Sequence, residues 1–160
     1  MAILTQSGRV ALTMAIANEV IHLAWGSGDP AWDSAPVAES VDSTALVNEL
    51  GRHSVTQVSY CTPNPVGDII ISNGRFSSSA SPTNHLFLRF NFDFNDASSA
   101  EIREFGIFTG TSFIPNIPPG QTYFLPAEIQ SPGVLLAVER IPKITRSNSV
   151  RQSFEFVLTL

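Results

Sequence analysis

The sequence predicts a mainly β (α+β) protein, an antiparallel β-sandwich or partly open barrel with an N-terminal amphipathic helix and one short helix. Three observations carry this. β-branched and aromatic residues dominate after Val20, turn residues recur about every ten positions, and residues 85–94 alternate apolar with polar side chains. At 160 residues the chain is expected to form one domain, 1–160, large enough to bury a core unaided.

Val10, Met14, Ala17 and Ile21 recur at helical spacing, with Thr5 or Ser7 as the cap and Asn18 near the end. Ala15-Ile16-Ala17 imitates a cleavage site. Thr13 interrupts the apolar run and only Arg9 precedes it, so a helix is expected and not a signal peptide. Residues 20–25 form an apolar run closed by Gly26-Ser27-Gly28-Asp29-Pro30, a dense turn signal. Residues 31–42 show no periodicity and read as an ordered loop. Residues 43–50 predict a short helix with Ser43 as cap, Leu46 and Leu50 on one side, and Gly51 ending it.

Strands are predicted over 53–61 and from Asp68 to Ser72, separated by Pro63-Asn64-Pro65 and Gly67; residues 75–81 continue the second strand or form a loop. In 85–94, Leu86, Leu88, Phe90, Phe92 and Phe94 share one face, with Phe87 the exception. Residues 102–108 predict another strand, in which Gly106 marks a bulge or a close backbone approach. Residues 109–132 hold five prolines and predict a long excursion without regular structure, ordered by a neighbouring subunit. Residues 133–160 supply closing strands, over 134–140 and 152–160.

The 14 acidic and 9 basic side chains leave a formal charge of −5, which argues against nucleic acid as a partner. Only 14% of residues are charged, against roughly a quarter in typical domains, which suits a surface covered by neighbours. The single cysteine, Cys61, excludes an internal disulfide and a multi-cysteine zinc site. No apolar run approaches the roughly 20 residues that span a bilayer, so no membrane insertion is expected.

No catalytic constellation emerges. His22, His53 and His85 each lie in or beside an apparent strand without a second ligand at metal-site spacing. Asp29 with Asp33, or Asp93 with Asn95 and Asp96, lacks the spacing of a calcium loop. Glu101 and Glu104, beside Arg103, read as surface ion pairs. Gly26-Ser27-Gly28 is neither a nucleophile elbow nor a phosphate loop. The expectation is a non-enzyme without metal or cofactor. Trp25 and Trp32 keep a carbohydrate-binding module open as the alternative, and a cell-wall hydrolase is a third possibility.

Three segments in order carry a resemblance. They are Ala24-Trp25-Gly26-Ser27-Gly28-Asp29-Pro30; Ser43-Thr44-Ala45-Leu46-Val47-Asn48-Glu49 with Arg52; and Ile102-Arg103-Glu104-Phe105-Gly106-Ile107-Phe108. Over about residues 3–110 the chain resembles the N-terminal domain of phage tail-collar fibre proteins, which attaches tail fibres to the baseplate. The last segment is the most specific of the three.

The resemblance implies a structural component of a phage or phage-derived tail, located in the virion at the baseplate or tail tip and made in the host cytoplasm. Its implied partners are other tail and baseplate proteins and tail fibres, with a trimeric or hexameric homo-oligomer. Ending at Leu160, where such fibres continue into a shaft, the chain is expected to be an adaptor. The implied interaction residues are Gly26, Gly28, Asp29, Trp32, Asn48, Glu49, Arg52, Arg103, Glu104, Gly106 and Phe108. In this reading Arg103 and Glu104 orient a strand end and its neighbouring loop. Glu49 and Arg52, one turn apart on the short helix, bridge to that loop; the alternative is that both charge pairs are exposed and worth under about 1 kcal/mol. Removing residues 109–132 is expected to spare folding and abolish assembly.

Overall fold

Thr5 opens the single α-helix: its hydroxyl accepts a hydrogen bond from the Gly8 amide at 3.2 Å, satisfying one of the donors a helix start leaves unpaired. The computed structural model describes all of residues 1–160. Helix α1 (Gln6–Ala17) ends at Asn18, whose side-chain amide donates to the Met14 carbonyl. Twelve strands follow. They are β1 (Ile21–Gly26), β2 (Glu49–Ser54), β3 (Gln57–Pro63), β4 (Ile69–Ile71), β5 (Gly74–Ser79) and β6 (His85–Phe92), then β7 (Glu101–Thr109), β8 (Ser112–Phe113), β9 (Tyr123–Phe124), β10 (Ile129–Ser131), β11 (Val134–Thr145) and β12 (Gln152–Thr159). The predicted class holds: mainly β, antiparallel, with an N-terminal helix.

The helix is where predicted, but its apolar stripe does not set its orientation. Thr13 is the residue with no exposure, its hydroxyl donating to the Arg9 carbonyl, while Met14 is exposed. The inward side centres on Thr13, with Arg9, Val10, Ile16 and Ala17 half-buried around it, so only Val10 and Ala17 of the predicted stripe within the helix face the protein.

The chain folds into two compact units. One comprises Met1–Glu19, Val55–Phe90 and Ser153–Leu160. Its strands belong to a sheet ordered β12-β6-β3-β5-β4. Cys61, Ile69, Phe76 and Phe87 cluster here with Ile71 and Val157. Leu86, Leu88 and Phe90 are buried as well. Strand β6 is therefore buried on both faces over these residues, which is why Phe87 breaks the alternation.

The other unit comprises Val20–Ser54 and Asn91–Gln152, with strands in the order β11-β7-β1-β2-β9 and a small β8–β10 pair. Strand β7 lies between β1 and β11, and every residue of it after Glu101 is buried. Trp25 has no exposure and stacks on Phe92 with ring centroids 3.8 Å apart. Phe94 lies beyond β6 and is 39% exposed, with the Arg151 guanidinium over its ring.

Two predicted elements are corrected in this unit. Residues 43–50 form no helix: Asn48 adopts a left-handed φ of 54° and β2 begins at Glu49. The carbonyls of Asn48 and Val47 accept from the amides of Ser27 and Gly28, so the segment bonds to the β1 turn and not to itself. The Pro-rich excursion has regular pieces, because β9 pairs with β2 and buries Phe124. Its prolines fall between these short pairings.

Candidate functional site

Every residue that carried the family resemblance lies in the second unit, and β7 brings the three segments together. Arg103 and Glu104 are successive on this strand and point to opposite sides. They do not pair with each other; each holds a different loop.

Arg103 is 3% exposed and holds the turn after β1. Its Nε and Nη2 donate to the two carboxylate oxygens of Asp33, both at 2.8 Å. Nη1 donates to the Ser27 carbonyl at 3.1 Å, and Nη2 also to Glu101 at 2.7 Å. This two-pronged geometry suits a planar guanidinium. Lys143 joins the network, 3.6 Å from Asp33 and 3.2 Å from Glu101. The hydrogen bonds from Arg103 are the main reason that both carboxyls are held below the usual range. Asp29 caps the adjoining 3-10 turn, Pro30–Asp33, by accepting from the Ala31 amide. Gly28 is required in this turn: its φ is +60°, and a methyl group would lie 2.5 Å from the Trp32 ring and 3.0 Å from the Arg103 Cβ.

Glu104 holds the second segment. It is 2% exposed and accepts a hydrogen bond from the Val47 amide. Burial pushes its carboxyl pKa up, opposed by that bond and by the Arg140 charge. Gly26 leaves room for it, since a methyl group there would sit 2.6 Å from the Glu104 Oε1. Glu104 is thus not the surface carboxylate predicted; Glu101 is the exposed member of that pair. Leu46 is carried inward beside Phe108 and Ala24, and a side chain at Gly106 would strike Leu46 and Leu135, both 2.9 Å away. Gly106 therefore marks a close approach, as one of its two predicted readings held.

Glu49 and Arg52 do interact, by a different geometry from that predicted. Three positions apart on a regular strand they would face opposite ways. The register along β1 jumps between Trp25, opposite Gly51, and Gly26, opposite Glu49, so β2 carries an extra residue at Leu50. The bulge turns Glu49 toward Arg52, whose Nε and Nη2 donate to the two carboxylate oxygens at 2.8 Å. Arg52 is 1% exposed, not a surface residue, with its guanidinium 4.1 Å from the Phe108 ring centre. Its Nη1 donates to the Thr111 hydroxyl and the Pro132 carbonyl, both at 2.8 Å. Arg52 thereby ties the start of the Pro-rich excursion to its end.

The tryptophans offer little to a sugar ring. Trp25 is buried, its indole N–H donating to the Tyr123 hydroxyl at 2.9 Å, and Trp32 has the Arg140 guanidinium 4.2 Å from its ring centre. His22 is buried too, its pKa lowered to about 4 by burial first and then by the Arg52 and His53 charges. Asp93 is paired with Arg151, and Asp96 accepts from the Asp93 amide, so both engage protein donors. Asp33, Thr111, Pro132 and Arg140 complete the constellation; of these the sequence reading weighed only Asp33, as a cation ligand, and set it aside for want of calcium-loop spacing. Thr111 and Pro132 lie inside the apparently irregular stretch, and nothing in the spacing links them to Arg52.

Chemically, the arrangement is a scaffold in which Arg103 fixes the turn over 26–33, the Glu104 carboxylate the segment over 46–49, and Arg52 both ends of the excursion. Compared with protein-family models, the chain matches along residues 1–160 the family described as baseplate wedge 3 tail fiber network component. The chain belongs to this family. That membership identifies a structural component of the phage tail, at the baseplate, in line with the tail-fibre resemblance carried by the three segments. It extends beyond residue 110 to the strands that close the sheets. A comparison with curated proteins finds no match. Association with other baseplate or tail-fibre components accords with the family description.

Proposed function

We propose that the chain is a non-enzymatic, oligomeric adaptor that joins tail fibres or other tail proteins to the baseplate. The observation that carries this reading is the match to a tail-fibre network family over the whole of residues 1–160. The clamped loops support it, because a connector under load needs loops whose positions do not drift, and two buried arginines anchor them here. Partners on the particle would cover its sparsely charged surface.

Immunogold electron microscopy on particles, with antibody against this chain, tests the placement. Label at the distal end of the tail is expected; unlabelled particles with free protein in the lysate would defeat the proposal. Light scattering of the purified chain tests the oligomer, with a trimer or hexamer expected and a monomer at all concentrations counting against it.

A further inference from the structure

Strand β11 has β7 on one side and no strand on the other. Residues 36–42 run beside this free margin as a strap without pairing to it. Arg140 ties them to the strand. Its backbone N–H donates to Glu39 Oε1 at 2.8 Å, and its guanidinium to the carbonyls of Val37 and Ala38 at 2.9 and 2.7 Å. The space between strap and strand is open on both sides of this tie. A cleft of about 260 Å³ has Glu39, Ser40, Leu136 and Val138 in its walls, and another of about 430 Å³ has Trp32, Val37 and Lys143. Val41, in the strap, is fully exposed.

The Arg140 bond fixes which backbone groups of β11 face outward. In an antiparallel ladder, successive residues alternate between bonding to the neighbour and facing away. Arg140 lies opposite Glu104 and donates outward, so Val138, opposite Gly106, also faces outward, beside the smaller cleft. The Val138 side chain meanwhile packs inward against the Ala24–Leu46–Phe108 cluster. Register shifts at Leu136 and before Ile144 bound the stretch, leaving a short edge able to accept a short strand.

Residues 36–42 and 135–140 together carry three carboxylates, Glu39, Asp42 and Glu139, against one guanidinium, that of Arg140, so the charge at this edge is negative. Glu39 is held ionised, chiefly by the Arg140 N–H, while burial and then the Glu39 charge push Glu139 up. A cation brought to the edge would relieve this repulsion between the two carboxyls, and the chain as a whole carries −5.

We propose that the β11 edge over residues 135–140 takes an extended, basic peptide segment of a partner protein by strand addition, with residues 36–42 as its displaceable cover. In strand addition, main-chain hydrogen bonds supply affinity while pockets beside the edge read alternate side chains. That the partner is a tail protein rests on the function proposed above; the strand addition does not.

A yeast-displayed library of random short peptides, sorted on the purified full chain, tests the proposal. Enriched peptides are expected to alternate aliphatic residues and to carry Lys or Arg. Their binding should weaken about tenfold in Val138→Pro, which removes an outward N–H. It should tighten in Arg140→Ala, which cuts the guanidinium's hold on the strap. The doubly charge-reversed chain, Glu39→Lys with Glu139→Lys, should select acidic peptides instead, and it carries the test if the proline variant does not fold. Failure to enrich any peptide, or binders indifferent to charge reversal, would overturn the proposal. Either result can occur while particles still label at the tail tip, so the two readings fail separately.

Discussion

Glu104, buried at the centre of its sheet, accepts a hydrogen bond from the Val47 amide 57 positions away in the chain. The bond lets a segment without regular structure cross a buried carboxyl. Replacing Glu104 with alanine strands that amide and should cost about 1–3 kcal/mol. Glu104→Gln keeps an acceptor and removes a charge that burial disfavours, so it should cost under about 1 kcal/mol. Urea unfolding of the two variants checks the order; equal losses would mean that the Val47 bond contributes nothing.

Arg52 is expected to tolerate no conservative replacement. A lysine keeps the charge but cannot reach Glu49, Thr111 and Pro132 together from a planar fork. Arg52→Lys should lose about 2–4 kcal/mol, near the cost of breaking a buried ion pair from one side. A thermal melt measures it, and amide exchange should rise at both ends of the excursion.

His22 should make the chain acid-sensitive above the usual carboxylate range. Its folded pKa of about 4 lies below the ordinary histidine value of 6.5, so the unfolded chain takes up the proton first. The stability it contributes is complete above pH 6.5 and is lost as pH falls from there to about 4, by up to about 3 kcal/mol. Against wild type, His22→Gln should show a flatter dependence over that window. Parallel curves would assign the acid sensitivity to other groups.

Deletions in the excursion should divide at Tyr123. Removing residues 114–121, which span most of its prolines and contain no strand, should leave the unit folded. Phe124→Ala should cost about 3 kcal/mol, because Phe124 is buried and stacks on Phe113. Removing all of residues 109–132 deletes β9 and the Arg52 anchors, so loss of folding is expected, contrary to the reading of this stretch as dispensable for folding. Circular dichroism of the three variants distinguishes these outcomes.

The strands were legible where burial is one-sided or complete: the runs at 20–25 and 102–108 became strands, and so did the alternation from 85 as far as Phe92. Residues 43–50 misled because Leu46 and Leu50 have helical spacing, while Leu46 is buried against Ala24 and Phe108 by a segment that the neighbouring Val47 amide ties to Glu104, which no local pattern reveals. The residues of the candidate site were found by resemblance. Their burial and pairing were not, since the turn of Glu49 toward Arg52 depends on one inserted residue in a strand pair. Pro-rich sequence concealed β9 for a related reason: a two-residue strand is too short to show periodicity.

The interleaving of the two units bears on how contacts of this chain can be mapped. Residues 1–19, 55–90 and 153–160 make one unit, and the other fills both gaps between them. No contiguous fragment contains the first unit without the whole of the second. Truncation series and two-hybrid fragments would therefore report broken folds where they are read as lost partners. Point substitutions on the intact chain, or cross-linking followed by mass spectrometry, are the mapping methods this connectivity permits.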